Sequence, residues 1–161
     1  MKITYKLIGK FRSPFKEPEG TPIQPTAEGS TTGKIELLPE YQEGLKDLEC
    51  FSHLILLYHC HKAGEPDLTV KPFMEDKHHG IFSIRAPSRP NSIGLSIVRL
   101  EKIEDNILYI KDVDILDKTP LLDIKPYVPN FDRRDNVKIG WLEENVNKLS
   151  SMEDDGRFAD N

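Results

Sequence analysis

Gly80-Ile81-Phe82-Ser83-Ile84-Arg85-Ala86-Pro87-Ser88-Arg89-Pro90-Asn91 runs directly into Ser92-Ile93-Gly94-Leu95-Ser96-Ile97-Val98, and this junction sets the architecture of the chain. Two arginines, two prolines and an asparagine stand between two apolar, β-branched runs. Neither Pro87 nor Pro90 can donate a ladder hydrogen bond, and each pushes its predecessor toward extended backbone. Strand therefore gives way to a stiff, irregular bend carrying Arg85, Arg89 and Asn91, and then resumes. A bend with little conformational entropy left to lose is suited to presenting side chains to a ligand.

Strand signals surround this junction. Residues 3–11 alternate apolar and polar, with Ile3, Tyr5 and Leu7 on one side, and residues 33–38 repeat the pattern. Residues 51–61 read as a buried strand that is apolar on both faces. Residues 93–103 and 107–115 form a pair around Asp105-Asn106, a hairpin dipeptide. Residues 121–129 are stiff and extended. Between them, 13–25 and 63–79 are proline- and glycine-studded loops, and residues 45–48 have room for one helical turn. Trp141, Leu142, Asn145 and Leu149 sit at helical spacing, which predicts a short amphipathic C-terminal helix. Residues 150–161 are acidic and poor in apolar groups, the composition of a frayed tail.

Six or more strands with short turns and little helix exclude a doubly wound parallel sheet. The expected fold is mainly β: a closed or partly open barrel with a short C-terminal helix, closure being the way to hide sheet edges. The expected division is a barrel domain over residues 1–140 and a helix with acidic tail over 141–161. A chain of 161 residues is long enough for one such core. It shows no apolar run long enough to span a bilayer and no basic-then-apolar leader, so the expectation is a soluble cytoplasmic protein with no membrane partner. Two cysteines, Cys50 and Cys60, make no disulfide framework and read as reduced.

A net charge of -5 argues against a generic polyanion binder and confines any nucleic-acid contact to a local basic patch. No Gly-x-Gly pair occurs, so the dinucleotide fingerprint and the phosphate-binding loop are both missing. No serine has a nucleophile-elbow context. The period of two places His53, His59 and His61 on one strand face. His53 is roughly 20 Å from His59 at strand rise, so the three cannot share an ion. His59 with His61, helped by His78 or His79, stays geometrically possible, but zinc usually takes three or four ligands in a recognisable spacing, and no metal is expected. Asp112, Asp114, Asp117 and Asp123 are either turn caps or acids of an active site, with Asp114 the best placed for chemistry. The forks of Arg85 and Arg89 suit fixed contacts with carboxylate or phosphate.

The ordered set Ile8-Gly9, Ser13-Pro14-Phe15-Lys16, Gln24-Pro25, Leu48-Glu49, Phe51-Ser52-His53, Gly80-Ile81-Phe82, Arg85, Arg89-Pro90-Asn91, Ile93-Gly94, Asp114 with Leu116-Asp117-Lys118-Thr119-Pro120, and Asp123-Ile124-Lys125-Pro126-Tyr127 resembles the TrmO (TsaA or YaeB-like) tRNA methyltransferases. The resemblance spans about residues 8–129 and implies a dimeric β-barrel that binds S-adenosyl-L-methionine without a Rossmann domain. The implied reaction is methylation of the exocyclic amine (N6) of threonylcarbamoyladenosine at tRNA position 37. Carried over by motif position, cofactor contacts fall on Pro25, Thr26, Ala27, His61, Lys62, Arg85, Leu95, Asp112, Val113 and Asp114. Asp114, Asp117 and Asn91 are then the catalytic candidates. Tyr127 is the candidate for stacking on a splayed base, and Arg89, Lys125 and Arg133 for phosphate. Lys118 stands where the resembling proteins have glycine. The rival readings are a sensor of S-adenosylmethionine or RNA module without turnover, and a methyltransferase for another substrate.

Overall fold

The structure is a computed structural model, and it describes residues 1–23, 31–73, 75–145 and 152–159. Six antiparallel strands close into a barrel in the order β1-β2-β7-β6-β3-β8. They are β1 (Gly9–Arg12), β2 (Thr32–Leu37), β3 (His53–His59), β6 (Ile93–Glu104), β7 (Ile107–Lys111) and β8 (Pro120–Pro126). Two short strands, β4 (Thr69–Val70) and β5 (His79–Gly80), form a separate ribbon. One short helix, α1 (Pro129–Asp132), lies near the C-terminus.

Alternation along each strand fills the barrel. Phe11, Ile35, Leu54, Leu56, Val98, Leu108, Ile110 and Leu121 are buried in one cluster. In β3 the interior face is Leu54 and Leu56 followed by Tyr58, whose ring meets Phe11 edge-on at 5.7 Å. The histidine face of that strand therefore points outward. Tyr58 pairs across the ladder with Gly94, and a Cβ at Gly94 would lie 2.1 Å from the Tyr58 ring. Only glycine lets the ring lie there.

The sequence expectation of a strand from Ile3 is shortened at its start. β1 begins at Gly9, and Ile3 and Tyr5 are exposed. The physical reason lies in the neighbour: Pro39 opens a 3-10 turn over Pro39–Leu45, so β2 bends away and offers residues 1–7 no ladder. At the other terminus, the helix expected around Trp141 is a single 3-10 turn over Gly140–Leu142, with Leu149 outside the described residues. The tail is not loose where it is described, because Phe158 is buried with Val70, Ile81 and Ala86.

The antiparallel order sorts the loops into two groups. The β6–β7 hairpin turn, with Asp105 at φ 54, lies at one end with the start of β3 and the end of β8. The other end gathers the exits of β1, β3 and β7 and the entries of β2, β6 and β8.

Candidate functional site

That second end carries the acidic turn between β7 and β8. The turn is bracketed by two residues in left-handed backbone, Asp112 at φ 65 and Lys118 at φ 64. Lys118 holds the left-handed conformation that glycine adopts freely, at a local cost for a lysine. Its N–H donates to the Phe11 carbonyl at 2.9 Å, which fixes the turn on β1. Asp112 faces Arg99 at 3.3 Å, and Val113 is buried with its N–H on the Thr31 carbonyl.

Asp114 is half-buried, and its Oδ1 accepts from Ser96 Oγ at 2.8 Å. Ser96 Oγ in turn lies 2.9 Å from Tyr58 OH. With Asp114 ionised, protons in this chain of hydroxyls point one way, from Tyr58 to Ser96 to the carboxylate. Burial pushes the Asp114 carboxyl up to about 6, with the Ser96 bond and a backbone N–H pulling the other way. A carboxyl poised there takes and gives up a proton near neutral pH. Burial and the nearby Asp114 both raise the Tyr58 phenol, and burial pushes the Cys60 thiol up to about 11, so neither competes as a base.

Asp117 is buried and differently held. Its Oδ1 accepts from the Ser13 N–H at 3.2 Å and its Oδ2 meets Lys16 Nζ at 2.8 Å. Burial pushes its carboxyl up, but Lys16 and the Ser13 amide outweigh that and hold it below the usual carboxylate range. Asp117 thus stays ionised and ties β1 to the acidic turn. It braces the site, whereas Asp114 is free to exchange a proton.

His61 follows β3, and its Nδ1 lies 3.2 Å from Thr119 Oγ1. Burial, Lys62 and His59 keep its imidazole below the ordinary histidine value, so it is neutral at pH 7. Lys62 donates to the Lys16 carbonyl at 2.8 Å and pairs with Glu17 at 2.6 Å. In the Arg-Pro-Asn bend the arginines divide. Arg89 turns inward, donating to the carbonyls of Ile84 and Ala86 at 3.0 and 3.3 Å, and so stiffens its own loop. Arg85 is exposed with no hydrogen bond or ion pair among the described residues. Asn91 is exposed, and its carbonyl accepts from the Ile93 N–H.

The structure therefore brings together His61, Lys62, Arg85, Arg89, Asn91, Asp112, Val113, Asp114 and Asp117 at one barrel end. Leu95 is separated from Asp114 by the sheet: Ser96 faces inward and Leu95 outward, half-exposed beside Ile93 and Ile97. Pro25, Thr26 and Ala27 lie outside the described residues. Three of the RNA candidates are elsewhere. Tyr127, edge-on to His53 at 6.4 Å, Lys125, paired with Asp123 at 2.6 Å, and Arg133, paired with Asp135 at 3.0 Å, follow or end β8. The length of β8, roughly 20 Å, separates Tyr127 and Lys125 from the acidic turn within one protomer. Tyr58, Ser96 and Lys16 were missed as site residues by reading the sequence. A period-two reading of β6 through the buried Val98 puts Ser96 inside, which was the available signal. Among the described residues, no group of three or more His, Cys, Asp or Glu side chains is placed to hold a metal ion. No helix among them is long and apolar enough to cross a membrane.

A small antiparallel barrel with an acidic turn and an arginine bend at one end defines the class, and residues 10–133 match the model of the tRNA-methyltransferase O N-terminal domain. The chain belongs to the TrmO family. A probable S-adenosyl-L-methionine-binding protein of Pyrococcus abyssi is 58% identical over 98% of this chain and 86% of its own length. Mouse tRNA (adenine(37)-N6)-methyltransferase is 36% identical over 82% of this chain but only 32% of its own length. The crystal structure of TrmO from Pseudomonas aeruginosa superposes with a TM-score of 0.74 at 39% identity, covering 88% of this chain and 63% of that one. The chain thus spans under two thirds of the solved TrmO chain.

Proposed function

We infer that this chain binds S-adenosyl-L-methionine and methylates the N6 amine of threonylcarbamoyladenosine at position 37 of tRNA. The observation that carries the reading is Asp114. It is a shielded carboxyl poised near neutrality, held by Ser96 at 2.8 Å, on the same barrel end as the stiff bend that presents Arg85.

The residues fit the cofactor's chemistry. Arg85, with no ion pair among the described residues, offers a guanidinium for a carboxylate, and Asp114 brings negative charge toward a cation, whereas Asp112 is held by Arg99 at 3.3 Å. When bound, S-adenosylmethionine supplies an electrophilic methyl group on a sulfonium. The chain's own work is alignment and proton removal. An exocyclic adenine amine is a poor nucleophile because its lone pair is delocalised into the ring. Asp114 accepts a hydrogen bond from that amine and takes its proton as the nitrogen gains the methyl group. Ser96 and Tyr58 keep the carboxylate aimed. Asp117 with Lys16 and Ser13 fixes the turn on which Asp114 rides. Position 37 lies in a single-stranded loop, so the base can splay toward the barrel end.

Two copies pair through the outer face of β3 and β6 in this reading. Ile93, Leu95 and Ile97 are exposed there, beside Leu57 and Ile55 on the paired strand. Such a contiguous apolar stripe is costly to leave in water. Sedimentation equilibrium on the Leu95→Glu chain tests the pairing, a monomer being the expected result.

Incubation with methyl-labelled S-adenosylmethionine and tRNA carrying or lacking threonylcarbamoyladenosine tests the reaction. Label in the modified tRNA alone supports it. Label in both tRNAs points to another acceptor, and binding without transfer points to a sensor. An Asp114→Ala chain that still binds cofactor and turns over at the unaltered rate would remove Asp114 from the mechanism.

A further inference from the structure

The described C-terminal segment, residues 152–159, runs across the site end and stitches its loops together. The Gly20 N–H donates to the Asp154 carbonyl and the Asp154 N–H to the Thr21 carbonyl, both at 2.8 Å, and the Ile23 N–H reaches the Met152 carbonyl at 3.3 Å. A few residues on, one carbonyl holds two further loops. The Phe158 oxygen accepts from the Gly64 N–H at 3.0 Å and from Ser88 Oγ at 2.7 Å. The Phe158 ring, 7% exposed, packs on Val70, Ile81 and Ala86 and meets Phe73 edge-on at 5.1 Å. Ala63 and Ala159 complete an isolated antiparallel bridge.

The loops so joined are those that carry Lys62 and Arg85, and the one that carries Glu17, the ion-pair partner of Lys62. We propose that residues 152–159 are a strap that pre-orders the cofactor-binding loops of the barrel, with Phe158 as its anchor and positioning residue. The proposal rests on the reading of this end as the S-adenosylmethionine site. Its physical basis is population: a loop ordered in only a fraction of molecules lowers apparent affinity by that fraction. Gly64 and Ser88 share a single acceptor, so loss of Phe158 packing frees both loops at once. The barrel core of Leu54, Leu56 and Leu108 lies in a separate cluster, so the loops can loosen while the barrel stays folded.

The test is calorimetric titration of S-adenosylmethionine into the unaltered chain and into Phe158→Ala, Ser88→Ala and Lys102→Ala. It is paired with amide hydrogen exchange at Gly64 and Leu108 in the ligand-free protein. Phe158→Ala should raise Kd about tenfold and speed exchange at Gly64 while Leu108 stays protected. Ser88→Ala should act in the same direction and less. Lys102, which pairs with Glu104 at 2.7 Å beside the β6–β7 hairpin at the opposite end of the barrel, should leave Kd unchanged when replaced. If Phe158→Ala fails to fold, Ser88→Ala decides: binding equal to the unaltered chain overturns the proposal. Undiminished binding by a folded Phe158→Ala overturns it as well. If the unaltered chain binds no S-adenosylmethionine, the functional reading falls and takes the strap with it.

Discussion

Replacing Ser96 with alanine removes the hydroxyl that donates to Asp114 Oδ1 at 2.8 Å and leaves the carboxyl in place. A hydrogen bond to a charged group contributes about 1.5–3 kcal/mol, and one pKa unit corresponds to about 1.4 kcal/mol. Losing the bond disfavours the ionised form, so the carboxyl rises from about 6 to about 7–8. At pH 7 the ionised fraction then falls from about nine-tenths to between about a half and a tenth. Turnover of modified tRNA should drop about two- to tenfold at pH 7 and recover at pH 9. Carbon-13 NMR of the Asp114 carboxyl in the ligand-free chain measures the same displacement without any turnover. An Asp114 that titrates at or below its original value in the variant would refute the reasoning. So would an activity deficit of equal size at pH 7 and pH 9, since that is the signature of lost packing. Tyr58→Phe removes only the outer hydroxyl of the chain, 2.9 Å from Ser96 Oγ, and should move the carboxyl in the same direction and less.

Asp114→Asn should abolish turnover and stabilise the fold. Burial pushes the folded-state carboxyl up to about 6, above the 3.8 of an ordinary aspartate, so the folded chain holds a proton that the unfolded chain releases. Stability from this group is present below pH 3.8 and declines as pH rises to about 6, a loss of about 2–3 kcal/mol. Urea unfolding should show the variant more stable at pH 7.5 and no more stable at pH 3. Asp117→Asn acts in the opposite sense. It should cost about 1–2 kcal/mol at pH 7, the difference shrinking as acid protonates Asp117 below the usual carboxylate range. Gly94→Ala drives a methyl to 2.1 Å from the Tyr58 ring and should cost about 1–3 kcal/mol in thermal unfolding. Lys118→Gly relieves left-handed backbone and should raise stability by about 0.5–1 kcal/mol, whereas Lys118→Val should lower it.

The barrel was legible because its signal is repetitive. Alternation in residues 33–38 and 93–103 and the Asp105-Asn106 turn correspond to β2, β6 and the β6–β7 hairpin. Closure was inferred from the count of strands, not from any one of them. The strand of residues 51–61 was legible as a strand but not in its facing, because it is apolar on both sides. Only the closed register shows that Leu54 and Leu56 point inward and the histidines outward. The acidic turn and the arginine bend were found from their chemistry, and the antiparallel order puts them at one end. Ser96 escaped notice because the period of two puts it inside the barrel, but what it does there shows only once its partners across the barrel are known. The strap escaped for a related reason. Acidic composition described the exposed side chains of residues 152–159, while the backbone bonds and the one buried ring that hold them leave almost no trace in composition.

The seam between β1 and β8 has the longest reach of any in the barrel. Gly9 pairs with Leu121 and Lys10 with Pro120, so its closure spans most of the polypeptide while the β6–β7 hairpin forms between near neighbours. Loop closure across such a distance is slow, and the seam zips after the hairpin. Asp117 and Thr119 sit at that seam, bound to Ser13 and His61. A chain that has collapsed but not yet zipped therefore has a formed sheet and an unassembled pocket. In stopped-flow refolding, recovery of ligand binding should trail the gain of far-ultraviolet β signal.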